Sequence, residues 1–166
     1  NYQYFLDRGL QRRIGDLIAH EITYWLPNTY VACLWPKMGA DNDRQRAIHL
    51  ILQYGQPFYV RHIYASLKSF VMLIAKVYQA QPWVGCPENG FAGAMDKAVN
   101  CYHKGGRVDF VFFCSDASLD DVLHLKDSIR EIFPYGKHSI HITDNATETK
   151  DIAHYILLQE GLSQWL

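Results

Sequence analysis

The densest cluster of polar side chains in the sequence spans residues 136–144, which read GKHSIHITD. Two histidines in this cluster, His138 and His141, lie three positions apart, a spacing that suggests a metal-binding pair. The stretch 138–143, however, has the pattern of a β-strand, in which successive side chains point to opposite faces. Two residues three positions apart therefore cannot close on one ion, and we expect no metal site here.

The same alternation places Ile140 and Ile142 on one face of the strand and His141 on the other. If the isoleucines face the helices, His141 lies on the accessible face of the sheet. A histidine that attacks phosphorus must be neutral, held through its other ring nitrogen and close to cations. A histidine that merely satisfies its hydrogen bonds in the sheet is the alternative. Candidates to orient the ring are Thr143, Asp144, Glu148 and Asp151, and candidates to supply charge are Lys37, Arg130 and Lys137.

Four predicted strands interleaved with helices must position this cluster. The strands are predicted over residues 29–35, 58–64, 108–114 and 138–143, and the third is so continuously apolar that it belongs in the middle of a sheet. Helices are predicted over 43–54, 67–79, 91–103 and 119–133, and Asn145 opens a last one; Ser118 with Asp121 forms a capping box. This order predicts a two-layer α+β sandwich with helices on one face of the sheet.

The first 27 residues are predicted to form an amphipathic helix and linker. Pro27 ends the helix, and the arginines at its start are expected on a solvated face. The apolar residues recur with helical spacing on one face of this helix; they are Phe5, Leu6, Leu10, Ile14, Leu17, Ile18 and Ile22.

Composition limits the classes of partner. The chain has 166 residues, of which 49% are hydrophobic, and 16 Lys plus Arg against 17 Asp plus Glu give a formal charge of −1. This balance provides no overall attraction for nucleic acid or an anionic membrane, so an anionic ligand must be bound locally. No apolar run approaches the roughly 20 residues of a membrane span. The four cysteines show no CxxC pair, which predicts reduced thiols and no zinc site. We expect a cytoplasmic protein.

Several segments around the polar cluster resemble the nucleoside diphosphate kinase family. Ser128–Phe133 (SIREIF), the 136–144 cluster and the closing helix are similar to a signature with a Thr-Ile-Arg segment, Asn-x-x-His-Gly-Ser-Asp and a helix carrying an orienting Glu. Gly90–Met95 resembles the family's Phe-Phe-Ala-Gly helix, and Trp35–Gly39 loosely resembles its Lys-Pro-Asp-Gly turn. The resemblance runs from about Tyr30 to Leu158.

This resemblance implies a ferredoxin-like βαββαβ fold, with a four-stranded antiparallel sheet, helices on one face and an added N-terminal helix. The family-like domain would comprise residues 28–166, preceded by the helix and linker of residues 1–27.

The resemblance also implies the chemistry of the site. His141 matches the histidine that carries phosphate in a ping-pong cycle, Arg130 a phosphate-binding arginine, Tyr78 a tyrosine near the site, and Asp151 approximately the Glu that holds the ring. Mg²⁺ is the implied ion, bound mainly through the nucleotide phosphates. With the other cations of the cluster, the expected nucleotide- and phosphate-binding residues are Arg130, His138, Lys37, Tyr78 and Lys137.

Some positions depart from the family pattern. His138, Ile142 and Thr143 replace its Asn, Gly and Ser, and Lys37 follows the proline of its turn instead of preceding it. The connection between the third strand and the Ile-Arg segment is short, and Lys126 is its only possible cation. Much of the segment with which the family contacts the nucleotide is therefore missing.

Two functions remain as hypotheses. The first is a phosphotransferase that moves a terminal phosphate between nucleoside di- and triphosphates. The second is a non-catalytic module for nucleotide sensing or protein contacts. The shortened connection favours the module, and the presence of His141 and Arg130 favours the enzyme. Either could act as a homo-oligomer or within a larger polypeptide.

Overall fold

The structure of the protein is a computed structural model that describes residues 2–158, with side chains from residue 8 onward. The side chains of Phe5 and Leu6, two of the apolar positions of the predicted N-terminal helix, lie outside the described part. None of the helices within residues 2–158 combines the length and the hydropathy needed to cross a membrane.

The chain alternates helices and strands in nearly the predicted order. The strands are β1 (Thr29–Leu34), β2 (Gln56–Tyr64), β3 (Arg107–Cys114) and β4 (Ile140–Ile142). The helices are α1 (Tyr2–Trp25), α2 (Asp41–Leu52), α3 (Leu67–Val77), α4 (Ala92–Cys101), α5 (Leu119–Ile132) and α6 (Ala146–Leu157). Short 3₁₀ turns lie at Pro36–Met38, Pro82–Val84, Pro87–Asn89 and Gly136–His138.

The four strands form one antiparallel sheet in the order β2-β3-β1-β4. This confirms the predicted α+β, ferredoxin-like fold with an added N-terminal helix, and β3 lies inside the sheet as its apolar sequence indicates. β4 is shorter than predicted and leaves His138 in the preceding 3₁₀ turn. That turn is stabilised by Ser139, whose hydroxyl donates to the carbonyl oxygen of Gly136 over 2.6 Å.

Helices cover both faces of the sheet. On the first face, α2 and α5 pack on Ala32, Leu34, Ile140 and Ile142. The prediction placed helices on one face only; α2 and α5 cover that face, and further helices cover the other. The opposite face is equally apolar, because β1 and β3 carry buried side chains in both directions, and it needs its own cover. That cover comes from α1, α3, α4 and α6, and its core includes Val31, Cys33, Trp35, Phe110 and Phe112.

The apolar face of α1 points away from the sheet. Its residues are largely exposed, at 61% for Leu10, 48% for Ile14, 42% for Leu17 and 56% for Ile18. The helix instead turns Asp16, Ala19 and Thr23 inward, and only 3% of Asp16 is exposed.

A buried polar contact with β2 sets this orientation. One carboxylate oxygen of Asp16 accepts a hydrogen bond from the Tyr59 hydroxyl over 2.5 Å and lies 3.2 Å from Nε of Arg61. Gly15 permits the close approach, since a Cβ there would lie 2.9 Å from the Tyr59 ring. Burying Asp16 and Arg61 unpaired would be costly, so their pairing outweighs the local apolar pattern of the helix.

A second buried network joins α2 to β3. The Arg44 guanidinium donates to Oδ2 of Asp109 over 3.1 Å, and Oδ1 of Asp109 accepts from Nδ1 of His62 (2.6 Å) and Nε of Arg107 (3.1 Å). Arg44 also donates to the backbone carbonyl oxygens of Gly39, Leu34, Trp35 and Arg107. The network thereby fixes the turn that follows β1.

Asp109 makes stability depend on pH. Burial alone raises the pKa of Asp109, but the hydrogen bond from His62 and the charge of Arg44 outweigh burial and hold that pKa below its usual value. A lowered pKa in the folded state adds stability above the unfolded pKa of about 3.9, and this stability is lost as pH falls through the folded value. We therefore expect the difference in unfolding free energy between wild type and Asp109→Asn to be large at pH 7 and to shrink below about pH 4. Urea unfolding at several pH values measures it, and a difference that stayed constant would contradict this role.

Candidate active site

His141 occupies the middle of β4, opposite Cys33 of β1. As predicted from strand alternation, its side chain points away from the face that holds Ile140 and Ile142. That opposite face is covered by helices and is not open, so His141 is only 7% exposed. The ring reaches the surface through a cavity between α3, α5 and α6.

The ring of His141 is held by Glu148 from the first turn of α6. Its Nε2 lies 2.6 Å from Oε1 of Glu148. An ionised carboxylate can only accept a hydrogen bond, so Nε2 carries a proton, and the lone pair of a neutral ring is then on Nδ1. Among the described residues, Nδ1 has no hydrogen-bond partner. The pair therefore has the form of an oriented nitrogen nucleophile.

The start of α6 explains why Glu148 reaches the ring. The side chain of Asn145 caps the helix by accepting from the backbone N–H of Glu148 over 2.8 Å, and Oε2 of Glu148 accepts from the backbone N–H of Asp144 over 3.2 Å. The Thr149 hydroxyl donates to the Thr143 hydroxyl over 2.8 Å and ties the helix to the end of β4. The spacing Asn-x-x-Glu is a capping signal that is visible in the sequence.

Asp151, which the resemblance matches to the orienting carboxylate, lines the same cavity without contacting the ring. Its Oδ2 accepts a hydrogen bond from the Gln79 side chain over 3.1 Å. Asp151 lies in the second turn of α6, and Glu148 occupies the first turn, next to the strand. The structure therefore places Glu148 in the orienting position.

The cavity beside His141 has a volume of about 270 Å³. Three cations line it: Lys76 at the end of α3, and Lys126 and Arg130 on α5. Three acidic residues also line it: Glu148, Asp151 and Asp144. Trp83, which is about half exposed, forms part of the rim. An anion bound in this space could pair with these cations.

Arg130 and Lys126 are only partly neutralised by the protein. The guanidinium of Arg130 lies 3.6 Å from Asp127, and its buried Nε has no hydrogen-bond partner among the described residues. Burial and the neighbouring charge of Arg130 lower the pKa of Lys126, whose Nζ lies 3.5 Å from the carbonyl oxygen of Ile142. Both features leave room for a bound anion to satisfy these groups.

Tyr78 forms an aromatic wall of the cavity. Its ring centroid lies 4.7 Å from that of His141 and 5.1 Å from that of Trp83. Burial raises the pKa of Tyr78, so the phenol is neutral at physiological pH. The predicted trio of His141, Tyr78 and Arg130 is thus brought together at one cavity.

Three predicted phosphate-binding residues lie outside the cavity walls. Lys37 has its Nζ 5.0 Å from the centre of the Tyr135 ring, and Lys137 is exposed. Nδ1 of His138 lies 3.8 Å from Sγ of Cys101, and burial together with the charge of Lys97 lowers the pKa of His138. These residues lie beyond the C-terminal end of α5, where the 3₁₀ turn of residues 136–138 carries two of them away from β4.

Lys97 of α4 links these residues to the cavity, and sequence reasoning missed it. Its Nζ donates to the carbonyl oxygen of Lys137 over 2.7 Å and lies 5.8 Å from the Tyr78 ring centre. Lys76 and Trp83 were also missed as site residues. No periodic pattern marks them, since they come from separate elements that meet only in the folded chain.

Within residues 2–158, no group of three or more His, Cys, Asp or Glu side chains is close enough to hold a metal ion. The four cysteines, Cys33, Cys86, Cys101 and Cys114, are free thiols. Burial raises the pKa of Cys33 and raises that of Cys101 to about 11, which leaves both as unreactive thiols.

Comparison with known proteins gives a likeness of structure. No protein-family model matches the chain, and no curated protein sequence matches it. Among solved structures, the nucleoside diphosphate kinase of Aquifex aeolicus is similar, with a TM-score of 0.56 and 12% sequence identity over 80% of this chain and 96% of that chain. The chain therefore has a fold like that of nucleoside diphosphate kinase.

Proposed function

We propose that this protein is a phosphotransferase that moves the terminal phosphate between nucleotides through a phosphohistidine at His141. The observation that carries the proposal is the contact of the buried His141 with Glu148, which leaves Nδ1 without a hydrogen-bond partner among the described residues, beside a cavity whose lining includes Lys76, Lys126 and Arg130. A structural histidine would not need both an oriented ring and cations beside it. The fold likeness to a nucleoside diphosphate kinase supports the same class of ligand.

The chemistry follows from the ring geometry. The lone pair on Nδ1 attacks the γ-phosphorus of a nucleoside triphosphate, an N–P bond forms, and the bond from that phosphorus to the β-phosphate oxygen breaks. The leaving diphosphate takes the electron pair, and the cations of the cavity stabilise the charge that develops on it. Glu148 keeps the proton on Nε2 and stabilises the positive ring. An acceptor diphosphate reverses the sequence through its terminal oxygen.

Mg²⁺ would add charge neutralisation on the nucleotide's own phosphates. Among the described residues, the carboxylates of the cavity do not form a ligand set for it, since Glu148 is engaged with His141, Asp151 with Gln79 and Asp144 with Asn145. What this chain contributes itself is the positive charge of lysine and arginine.

The test is incubation of the protein with Mg²⁺ and γ-³²P-ATP, followed by acid and alkali treatment of the labelled chain. We expect a label that acid removes and alkali leaves, and we expect His141→Ala to lose it. His49→Ala, an exposed histidine on α2 at the opposite face of the sheet, is the matched control and keeps the label.

Transfer of the label from wild-type protein to added nucleoside diphosphate completes the proposed cycle. An unlabelled wild type that still binds nucleotide would overturn the proposal in favour of the non-catalytic module. Equal labelling of His141→Ala would assign the phosphate to another residue.

A further inference from the structure

The outward face of α1 carries an apolar stripe that the described chain leaves largely exposed; at its C-terminal end, Nζ of Lys150 lies 5.1 Å from the centre of the Tyr24 ring. The stripe consists of Leu10, Ile14, Leu17, Ile18, Tyr24 and Trp25, each between 42% and 71% exposed. At about 100° of rotation per residue, these side chains lie opposite the inward Asp16, Ala19 and Thr23. A contiguous exposed apolar patch of this kind marks an interaction surface.

The orientation of α1 argues that this surface is not an accident of packing. The helix packs its small and polar residues inward, where Asp16 pairs with Tyr59 and Arg61, and Arg13 donates to the carbonyl oxygen of Leu157 at the end of α6. These contacts hold the helix in place and keep its largest side chains outside. Leaving them in water forfeits stabilisation that a partner would recover.

Charge along the stripe indicates the partner. Arg13 is an exposed residue at the edge of the stripe that gives one hydrogen bond to Leu157; it lies four residues before Leu17, and Glu21 lies four residues after it. Glu21 is the one acidic side chain within the stripe, and its carboxylate accepts from Nε1 of Trp25 over 2.9 Å. An antiparallel copy of α1 crossing at Leu17 would bring each Arg13 opposite the other Glu21, and each Leu10 opposite the other Tyr24. A parallel copy would place like charges together.

We propose that α1 pairs antiparallel with α1 of a second copy of this chain, around a two-fold axis at Leu17. In a two-fold interface, a residue i of one copy contacts residue j of the other, and residue j of the first copy contacts residue i of the second. The same stripe therefore forms both halves of the interface. One helix pair buries less surface than a large obligate interface, so the dimer is expected to depend on concentration.

Sedimentation velocity or light scattering over a range of concentrations tests the pairing. The mass is expected to rise from 19.2 kDa toward twice that value. Leu17→Glu puts two carboxylates together on the axis, so that variant is expected to stay monomeric. Leu52→Glu on α2 is the matched control because Leu52 is similarly exposed, at 47%, and lies away from the stripe; it is expected to dimerise like wild type.

A charge exchange tests the antiparallel arrangement. Arg13→Glu places acids opposite Glu21, Glu21→Arg places cations opposite Arg13, and each variant alone is expected to lose dimer. A mixture of the two pairs opposite charges at both contacts and is expected to restore it. Thermal melts monitor the fold, since Arg13 also caps α6.

A wild-type chain that stays monomeric at several hundred micromolar would overturn the proposal. So would a dimer that Leu17→Glu leaves intact, or a charge mixture that fails to associate while both variants melt like wild type. If the monomer instead binds vesicles of anionic lipid, and Leu17→Glu abolishes that binding, the stripe faces a membrane surface and the dimer is wrong.

Discussion

Replacing Arg44 by methionine is expected to lower the free energy of unfolding by about 3–5 kcal/mol. Arg44 is buried and gives hydrogen bonds to the Asp109 carboxylate and to four backbone carbonyl oxygens, among them those of Leu34 and Trp35. Methionine has similar length but no donor, so it leaves these acceptors and one buried charge without their partner. The side chains of His62 and Arg107 keep part of the neutralisation of Asp109.

Arg46→Met is the matched control on the same helix. Arg46 is exposed and lies 3.4 Å from the exposed Asp43, a surface pair of the kind that contributes at most about 1 kcal/mol. Urea unfolding followed by circular dichroism measures both variants. Equal losses from the two substitutions would show that the buried network is not what stabilises the turn after β1.

Glu148→Gln is expected to reduce the rate of His141 phosphorylation by about 100-fold or more. Glutamine nearly preserves shape but removes the negative charge that stabilises the positive ring during attack on phosphorus. Its amide can also donate to Nε2, which moves the ring proton to Nδ1 and removes the attacking lone pair. Single-turnover labelling with γ-³²P-ATP measures the rate.

Asp151→Asn distinguishes the two carboxylates of α6. Because Asp151 contacts Gln79 and not the ring, its substitution is expected to change the labelling rate by less than about threefold. This change is small compared with the loss expected when the contact between Glu148 and the ring is altered. A larger loss from Asp151→Asn than from Glu148→Gln would reverse the assignment and support the match that the family resemblance implies. Melting temperatures of both variants separate a loss of rate from a loss of fold.

Local features of the fold could be predicted because backbone geometry alone imposes them. The alternation of a strand separates His141 from Ile140 and Ile142 wherever β4 is placed. The capping box between Ser118 and Asp121 forms as predicted, with the Ser118 hydroxyl accepting from the backbone N–H of Asp121 over 3.1 Å. Such features involve residues within a few positions of each other.

The candidate site was predictable only in part. Strand alternation and the Ile-Arg segment pointed to His141 and Arg130, and the Asn-x-x-Glu spacing could have favoured Glu148 over Asp151. No pattern in the sequence marked Lys76 or Lys97 as residues of the site. They reach the site because α3 and α4 pack on the face of the sheet that the prediction left open.

The amino-acid sequence by itself determined the kinds of elements, their order and the faces of each strand, including the placement of His141 on the face of β4 away from Ile140 and Ile142. The tertiary structure alone decided which face of α1 turns inward, which carboxylate holds His141 and which cations meet around it. The physical reason is distance along the chain. Asp16 of α1 contacts Tyr59, which lies 43 residues away along the chain. A buried charge needs a partner, so this contact sets the orientation of α1 and leaves the apolar face of the helix exposed.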